Sequence, residues 1–405
     1  MSKRKYIILR DFQHDAPPAF PVGVRRFRSG FGKSVPSAEV EVAELERGDL
    51  GILARDATVE AAAPAMPVKL IAPLPFHGAA TAASTGNATW GLEAIGALAT
   101  PYDGQGVKVA VLDTGIDPTH AAFAGVTLER RNYTSESDDD TDGHGTHCAA
   151  TIFGRDVAGT RIGVARGITD AFIGKVLGRD GGGSDQIARA IMDAVEAGCQ
   201  VISMSLGIDL PGYTKSLIDD GFPADFAAAL ALADYRANIR LFDRIGELVE
   251  AQASFRNREI ALIAAAGNEA RRDIDPNYEF PATPPSEAEG FISVGAAGQA
   301  GAHVEIADFS NTGCQICGPG VGVVSAQAGA ANGLVAHSGT SMATPHVAGV
   351  AALWLQALRP ADAPTGWFPM APGQLKARLL ASGDPSVFGP NYDPYDAGAG
   401  MVRCP

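Results

Sequence analysis

Val107-Lys108-Val109-Ala110-Val111-Leu112-Asp113-Thr114-Gly115-Ile116-Asp117 is the stretch on which the fold turns. Val107 to Leu112 reads as a continuous apolar strand, the pattern of one buried on both faces inside a parallel sheet. It stops at an aspartate and a glycine turn. Downstream, strand patterns recur at Asp170–Val176, Val201–Leu206, Ala261–Ala266 and Phe291–Ala296, while helices open at His144 and run over Ser184–Ala197. This alternation predicts an α/β fold with a mostly parallel central sheet, whose functional residues gather at the carboxyl ends of strands. Asp113 and Asn268 both stand at such ends.

Working outward, residues 1–75 form a compositionally separate small α+β unit. Lys5–Arg10 and Val40–Leu45 alternate like strands, Arg47–Asp56 reads as a short helix and Met66–Ile71 as a further strand. A proline-, glycine- and arginine-rich loop from Pro17 to Pro36 interrupts them. Ala72 to Ala88 is poor in bulky residues and looks like a linker, so the expected division is 1–75, a linker at 76–89 and a main domain over 90–405. Within the last, a largely helical pattern runs from Pro223 to about Arg256.

The 405 residues are 46% hydrophobic and 19% charged, enough for one large core and a smaller unit. A formal net charge of -14 argues against a nucleic-acid surface. No apolar run approaches the length of a membrane span. The basic start Met1-Ser2-Lys3-Arg4-Lys5 is followed by only four apolar residues, too few for a secretory signal, so a cytoplasmic location is expected, with non-Sec export left open. Five cysteines fit a reducing compartment, and Cys314-Gln315-Ile316-Cys317 lacks the second pair that a zinc site needs.

The chemistry centres on Val335-Ala336-His337-Ser338-Gly339-Thr340-Ser341-Met342-Ala343-Thr344-Pro345-His346-Val347-Ala348-Gly349, a tight turn opening into a small-residue helix. A serine at that junction sits where unpaired backbone N–H groups and the positive helix end converge. Serine-mediated amide hydrolysis needs a base, an acid to hold the base's tautomer, and donors for the oxyanion. Asp113, His144, Asn268 and Ser341 supply those residue types in glycine-flanked positions. Singly, each reads as a turn or helix-cap residue; together they read as a site.

Val109–Asp117, His144-Gly145-Thr146-His147-Cys148-Ala149, Ser203-Met204-Ser205-Leu206-Gly207, Ala265-Ala266-Gly267-Asn268-Glu269 and Gly339–Gly349 resemble the signature blocks of the subtilisin-like serine proteases. The resemblance runs from about Trp90 to the C-terminus and implies the three-layer fold of that family. It implies a serine endopeptidase in which Asp113 orients the imidazole, His144 is base then acid, Ser341 is the nucleophile and Asn268 donates to the oxyanion. Gly181, Gly182 and Gly183, with Ser205, Leu206 and Gly207, would form the two edges that pair with an extended peptide. Ala265, Ala266 and Gly267 would wall the first subsite. Asp142 and Asp185 fall beside the second and fourth subsites, where they would favour Lys or Arg.

The resemblance makes His147 structural and implies no required cofactor or metal. Positions that would ligate the family's high-affinity calcium carry Ala122 and Val157, so that site is expected to be absent; Asp273, Asp275 and Asp308 leave other calcium sites open. The 61 residues from Gly207 to Asn268 exceed the family spacing and imply a helical insertion at about 210–257. The N-terminal unit resembles, more loosely, the family's propeptide, which implies an intramolecular inhibitor cut within Ala72–Ala88 by the enzyme itself. The implied partners are a peptide or protein substrate and this unit, with no nucleic acid or membrane. A peptide maturase or macrocyclase on the same fold, and an inactive binding module, are the alternative readings.

Overall fold

The computed structural model describes residues 3–11, 38–46, 48–75, 87–256, 258–301, 303–360, 363, 369–390 and 392–405. The Pro17–Pro36 loop and most of the expected linker lie outside them. The N-terminal unit is a three-stranded antiparallel sheet in which β1 (Arg4–Asp11) is flanked by β2 (Ala38–Leu45) and β3 (Val59–Pro64). The short helix expected over 47–56 is one turn, α1 (Leu50–Leu53). The strand β3 was not expected: Val-Glu-Ala-Ala-Ala-Pro is alanine-rich and favours helix by propensity, but pairing with the apolar β1 overrides it. The next two strands, β4 (Pro67–Leu70) and β5 (Leu74–Pro75), leave this sheet altogether.

In chain order the main domain contains α2 (Trp90–Ala94), β6 (Val109–Asp113), β7 (Thr127–Asn132), α3 (His144–Phe153), β8 (Asp170–Lys175), β9 (Gly182–Gly183), α4 (Ser184–Glu196), β10 (Val201–Met204), β11 (Leu206–Ile208), α5 (Leu210–Asp219) and α6 (Ala224–Phe255). There follow β12 (Ala261–Ala265), β13 (Phe291–Ala300), β14 (His303–Ile306), β15 (Ile316–Pro319), β16 (Val323–Ala326), β17 (Leu334–Ser338) and α7 (Thr340–Leu358). The central sheet has the order β14-β13-β12-β10-β6-β8-β7, with β15 also on β13; every pairing is parallel except β13 with β14. The expected α/β architecture with a mostly parallel sheet is what the chain forms.

The unbroken apolar pattern of β6 follows from two cores, one on each face. Val109 and Val111 join the core that holds α3 and α7, while Ala110 and Leu112 join the one under α4 and α6. All five residues of β6 are buried, each large aliphatic side chain contributing roughly 1.5–3 kcal/mol. Helix, sheet, helix is the three-layer arrangement. Among the described residues no helix is long and apolar enough to cross a membrane.

The helical insertion is α5 folded back on α6, a helix of 32 residues. Along α6, Ala227, Ala231, Asp234, Asn238, Leu241, Ile245, Val249 and Gln252 are buried at three- and four-residue spacings, so one face is covered throughout. The lower part of that face packs on the sheet, with Phe242 edge-on to Phe291. The upper part meets the N-terminal unit. Asn238 Nδ2 donates to Pro64 O at 2.9 Å, Arg4 pairs with Asp234 and donates to Tyr213 Oη at 2.7 Å, and Arg244 pairs with Glu60 at 2.8 Å. Ile7, Leu9 and Ala63 belong to the same apolar cluster as α4 and α6.

Candidate active site

Asp113 ends β6 and His144 begins α3, and the two meet because the backbones around them touch. Gly145 lies so close to Gly115 that a Cβ there would stand 2.2 Å from the Gly115 carbonyl oxygen. Only glycine fits. His144 Nδ1 reaches Asp113 Oδ1 at 2.8 Å, and that oxygen also accepts from Thr114 N at 2.7 Å; Oδ2 is buried with no hydrogen-bond partner among the described residues. Both residues are 1% exposed. Burial alone would depress the imidazole's pKa, but the Asp113 carboxylate outweighs it and carries His144 well above its ordinary value.

Asp140, the third aspartate of Asp138-Asp139-Asp140, ties these two loops together. Its Oδ1 accepts from Thr114 Oγ1 (2.9 Å), Gly143 N (2.8 Å) and Asp142 N (3.2 Å). Its Oδ2 accepts from Thr146 N (2.9 Å) and Thr146 Oγ1 (2.6 Å). One buried carboxylate thus holds the neighbour of Asp113 and the first turn of the His144 helix. The available signal was its position four residues before the histidine, where an acceptor serves the free N–H groups of a helix start.

Ser341 lies in the first turn of α7. Its Oγ donates to Ile71 O at 2.9 Å and lies 3.4 Å from Ser205 O. Four residues on, Pro345 has no N–H to close the helix onto the Ser341 carbonyl. Ser205 Oγ (3.1 Å) and Cys148 Sγ (3.4 Å) donate to that carbonyl instead. Cys148, one turn beyond His144, also sits 3.8 Å from its Nδ1 and 4.0 Å from its Nε2. Nothing in the sequence assigns Cys148 this role.

Asn268 follows β12 through Gly267, whose φ of 121° and close approach to the Asn311 amide exclude a side chain. Asn268 Oδ1 accepts from both Thr340 N and Thr340 Oγ1 at 2.9 Å. That fixes the amide's orientation and turns Nδ2 outward, where it donates to Ala72 O at 3.2 Å. Asn268 therefore serves the carbonyl one residue beyond the one that Ser341 touches.

The carbonyls of Ile71 and Ala72 are there because β4 is the middle strand of a three-stranded antiparallel sheet in front of the site. Val68 and Pro67 pair with Gly182 and Gly183 on one side; Leu70, Lys69 and Val68 pair with Leu206, Gly207 and Ile208 on the other. The two expected groove edges hold a strand of the chain itself. Gly181 stands just outside, bridged to Gly178, and Ser205 faces the Ser341 carbonyl. Beyond the site, β5 pairs with β17, so the chain is gripped on both sides of Ser341. Ala265 and Ala266 are buried and lead β12 to Asn268, with Ala266 O accepting from Thr283 N.

Asp185 and Asp142 each have a partner outside β4. Asp185, with its side chain 2% exposed, pairs with Lys5 of β1 at 2.5 Å and lies 3.9 Å from Arg189. Asp142 Oδ1 accepts from His144 N at 3.3 Å, as a helix-start residue does. The basic residue of β4 meets other acids: Lys69 Nζ lies 3.1 Å from Asp209 Oδ1 and 3.2 Å from Glu269 Oε1. Neither acid was singled out from the sequence, where nothing brings 69, 209 and 269 together.

His147 is buried, with Nε2 on Val323 O at 3.0 Å and its ring against His337. Ala122 and Val157 are core residues. Asp273 and Asp308 are exposed, and Asp275 Oδ1 accepts from Asn277 at 2.9 Å.

Comparison with known proteins gives this geometry its context. The family model described as the subtilase family matches residues 104–400. "Subtilisin-like protease 1" of Pseudogymnoascus destructans is 35% identical over 274 residues, 65% of this chain and 58% of that protein. The "Thermostable alkaline protease" of Halalkalibacterium halodurans is 36% identical over 257 residues, 62% and 57% of the two chains. Fervidolysin from Fervidobacterium pennivorans, described as a keratinolytic enzyme related to subtilisin, superposes with a TM-score of 0.61 at 22% identity, over 85% of this chain and 51% of that one. The chain spans little more than half the length of the curated relatives it matches.

Proposed function

The chain belongs to the subtilase family, and from that premise we propose that it is a serine endopeptidase acting through Asp113, His144 and Ser341, with its own N-terminal unit seated as an intramolecular inhibitor and first substrate. The observation that carries this reading is the strand β4, held between both groove edges with the Ile71 carbonyl against the Ser341 hydroxyl. An extended peptide added between two edges is how such a groove would hold any substrate.

The bond offered for cleavage is Ile71–Ala72. His144 Nε2 takes the Ser341 proton as Oγ bonds to the Ile71 carbonyl carbon, and Asp113 stabilises the imidazolium that results. The Ile71 oxygen, as it gains charge, swings from the hydroxyl toward the Asn268 amide and the Ser341 N–H. His144 then protonates the Ala72 nitrogen as the C–N bond breaks. Water attacks the Ile71 acyl ester with His144 again as base, and the serine is restored. The next bond, Ala72–Pro73, has the Asn268 amide on its carbonyl, but its nitrogen is the ring-bound, hydrogen-free nitrogen of proline, which crowds the position of the leaving group.

Intact mass of the wild type and the Ser341→Ala variant, each incubated with a serine-directed fluorophosphonate, tests the reading. One label on the wild type and none on the variant is expected, and the wild type alone should yield a fragment that starts at Ala72. A wild type that stays whole and unlabelled, before and after mild proteolysis, overturns it.

A further inference from the structure

We infer that Asp209 and Glu269 form a subsite selecting Lys or Arg in substrates, at the residue two before the one whose carbonyl is attacked. The inference rests on the proposed endopeptidase reading and extends it to substrate choice. Its basis is that this position is already occupied: Lys69, paired with Gly207 on β11, lies two residues before Ile71 and puts Nζ between the two carboxylates at 3.1 and 3.2 Å.

Both carboxylates belong to the main domain, and each is held in place without Lys69. Asp209 caps α5, its Oδ1 accepting from Gly212 N at 3.2 Å. Glu269 Oε2 accepts from Asn311 Nδ2 at 2.8 Å, which leaves Oε1 free to face the groove. Asn311 is itself buried and fixed, its Oδ1 accepting from Glu269 N and Ala270 N. The clamp is therefore rigid and anionic before any ligand enters. Cleavage at Ile71–Ala72 and departure of the N-terminal unit take Lys69 away and vacate it. Two partly exposed carboxylates then stand beside the groove, at 26% and 21% side-chain exposure in the occupied state. An ammonium or guanidinium group on a bound peptide relieves their repulsion, a leucine leaves it, and a glutamate adds to it. Burial works against the charge of Lys69, yet Glu269 and Asp209 raise its pKa on balance.

The test uses full-length protein and three fluorogenic peptides that differ only at this residue, as Lys, Leu or Glu. For partly exposed ion pairs the expected kcat/KM order is Lys over Leu by about tenfold, with Glu lowest. Asp209→Asn with Glu269→Gln keeps the α5 cap and the Asn311 bond, so the fold is retained while the Lys-to-Leu ratio falls to about one. Equal turnover of the Lys and Leu peptides by the wild type overturns the inference and leaves the endopeptidase reading standing. Failure to turn over any peptide, with Ser341 unlabelled, overturns both.

Discussion

Asp140→Ala and Asp139→Ala remove the same charge from adjacent positions and should have opposite outcomes. Asp140 is 8% exposed and accepts five hydrogen bonds, from Thr114, Asp142, Gly143 and, twice, Thr146. Removing it strands the buried donors of Thr114 and Thr146. Individual charged bonds contribute about 1.5–3 kcal/mol, but they share one carboxylate and are not additive, so a loss of about 3–5 kcal/mol is expected. For a chain of 405 residues, the entropy of unfolding per residue converts this to a fall in melting temperature of about 4–6 °C. Asp139 is a surface residue whose ion pair with Arg130, at 3.3 Å, is exposed, so Asp139→Ala should change stability by no more than about 0.5 kcal/mol. Because Asp140 also joins the loops carrying Asp113 and His144, its loss should slow fluorophosphonate labelling of Ser341 by more than the unfolded fraction explains. Scanning calorimetry and labelling kinetics on both variants decide the matter. An Asp140→Ala protein that melts and labels like Asp139→Ala would refute the argument that this carboxylate assembles the site.

Asn268→Asp keeps the acceptor for Thr340 but deletes the outward donor, so kcat on a peptide should fall by at least 10²–10³, roughly the effect known for subtilisin's own oxyanion asparagine; an unchanged kcat would deny it that role. His144 is raised well above 6.5 by Asp113, so the ion pair stabilises the fold fully below about 6.5 and is lost as pH rises through the higher folded value. Labelling of Ser341, which needs the neutral imidazole, should therefore increase over the same range above 6.5 in which melting temperature declines, and Asp113→Asn should move both limbs to lower pH; a labelling limb at or below 6.5 contradicts this. Gly145→Ala drives a Cβ into the Gly115 carbonyl and should cost about 2–4 kcal/mol and most of the labelling. Gly51→Ala, in open space on a helical turn, should be neutral or slightly stabilising by calorimetry.

The catalytic-type residues were legible in the sequence because each is announced locally. Asp113 and Asn268 end apolar strands, and His144 and Ser341 open small-residue helices. Burial on two faces made β6 readable as a parallel strand. What the sequence could not disclose was pairing at a distance. Met66–Ile71 reads as a strand, but nothing in its pattern says that Pro67–Leu70 will bond to residues 182–183 and 206–208 rather than to β1. Alternation encodes faces, not partners. For the same reason nothing in the sequence says that the Asp185 carboxylate meets Lys5 of β1. β3 was hidden by its alanines, and Asp140 by the two similar aspartates beside it.

The proline four residues after Ser341 makes the nucleophile's carbonyl depend on Ser205 and Cys148 for its hydrogen bonds. An ordinary helix would close that carbonyl from within and could form its first turn early. Here the turn bearing the serine is completed only by groups nearly 140 and more than 190 residues away along the chain. The geometry of that turn therefore depends on α3 and on the segment between β10 and β11 being in place beside it. On the proposed reading, reactivity at Ser341 would belong to the folded domain and not to the helix alone, with the chain's own strand β4 lying in the groove of that folded domain.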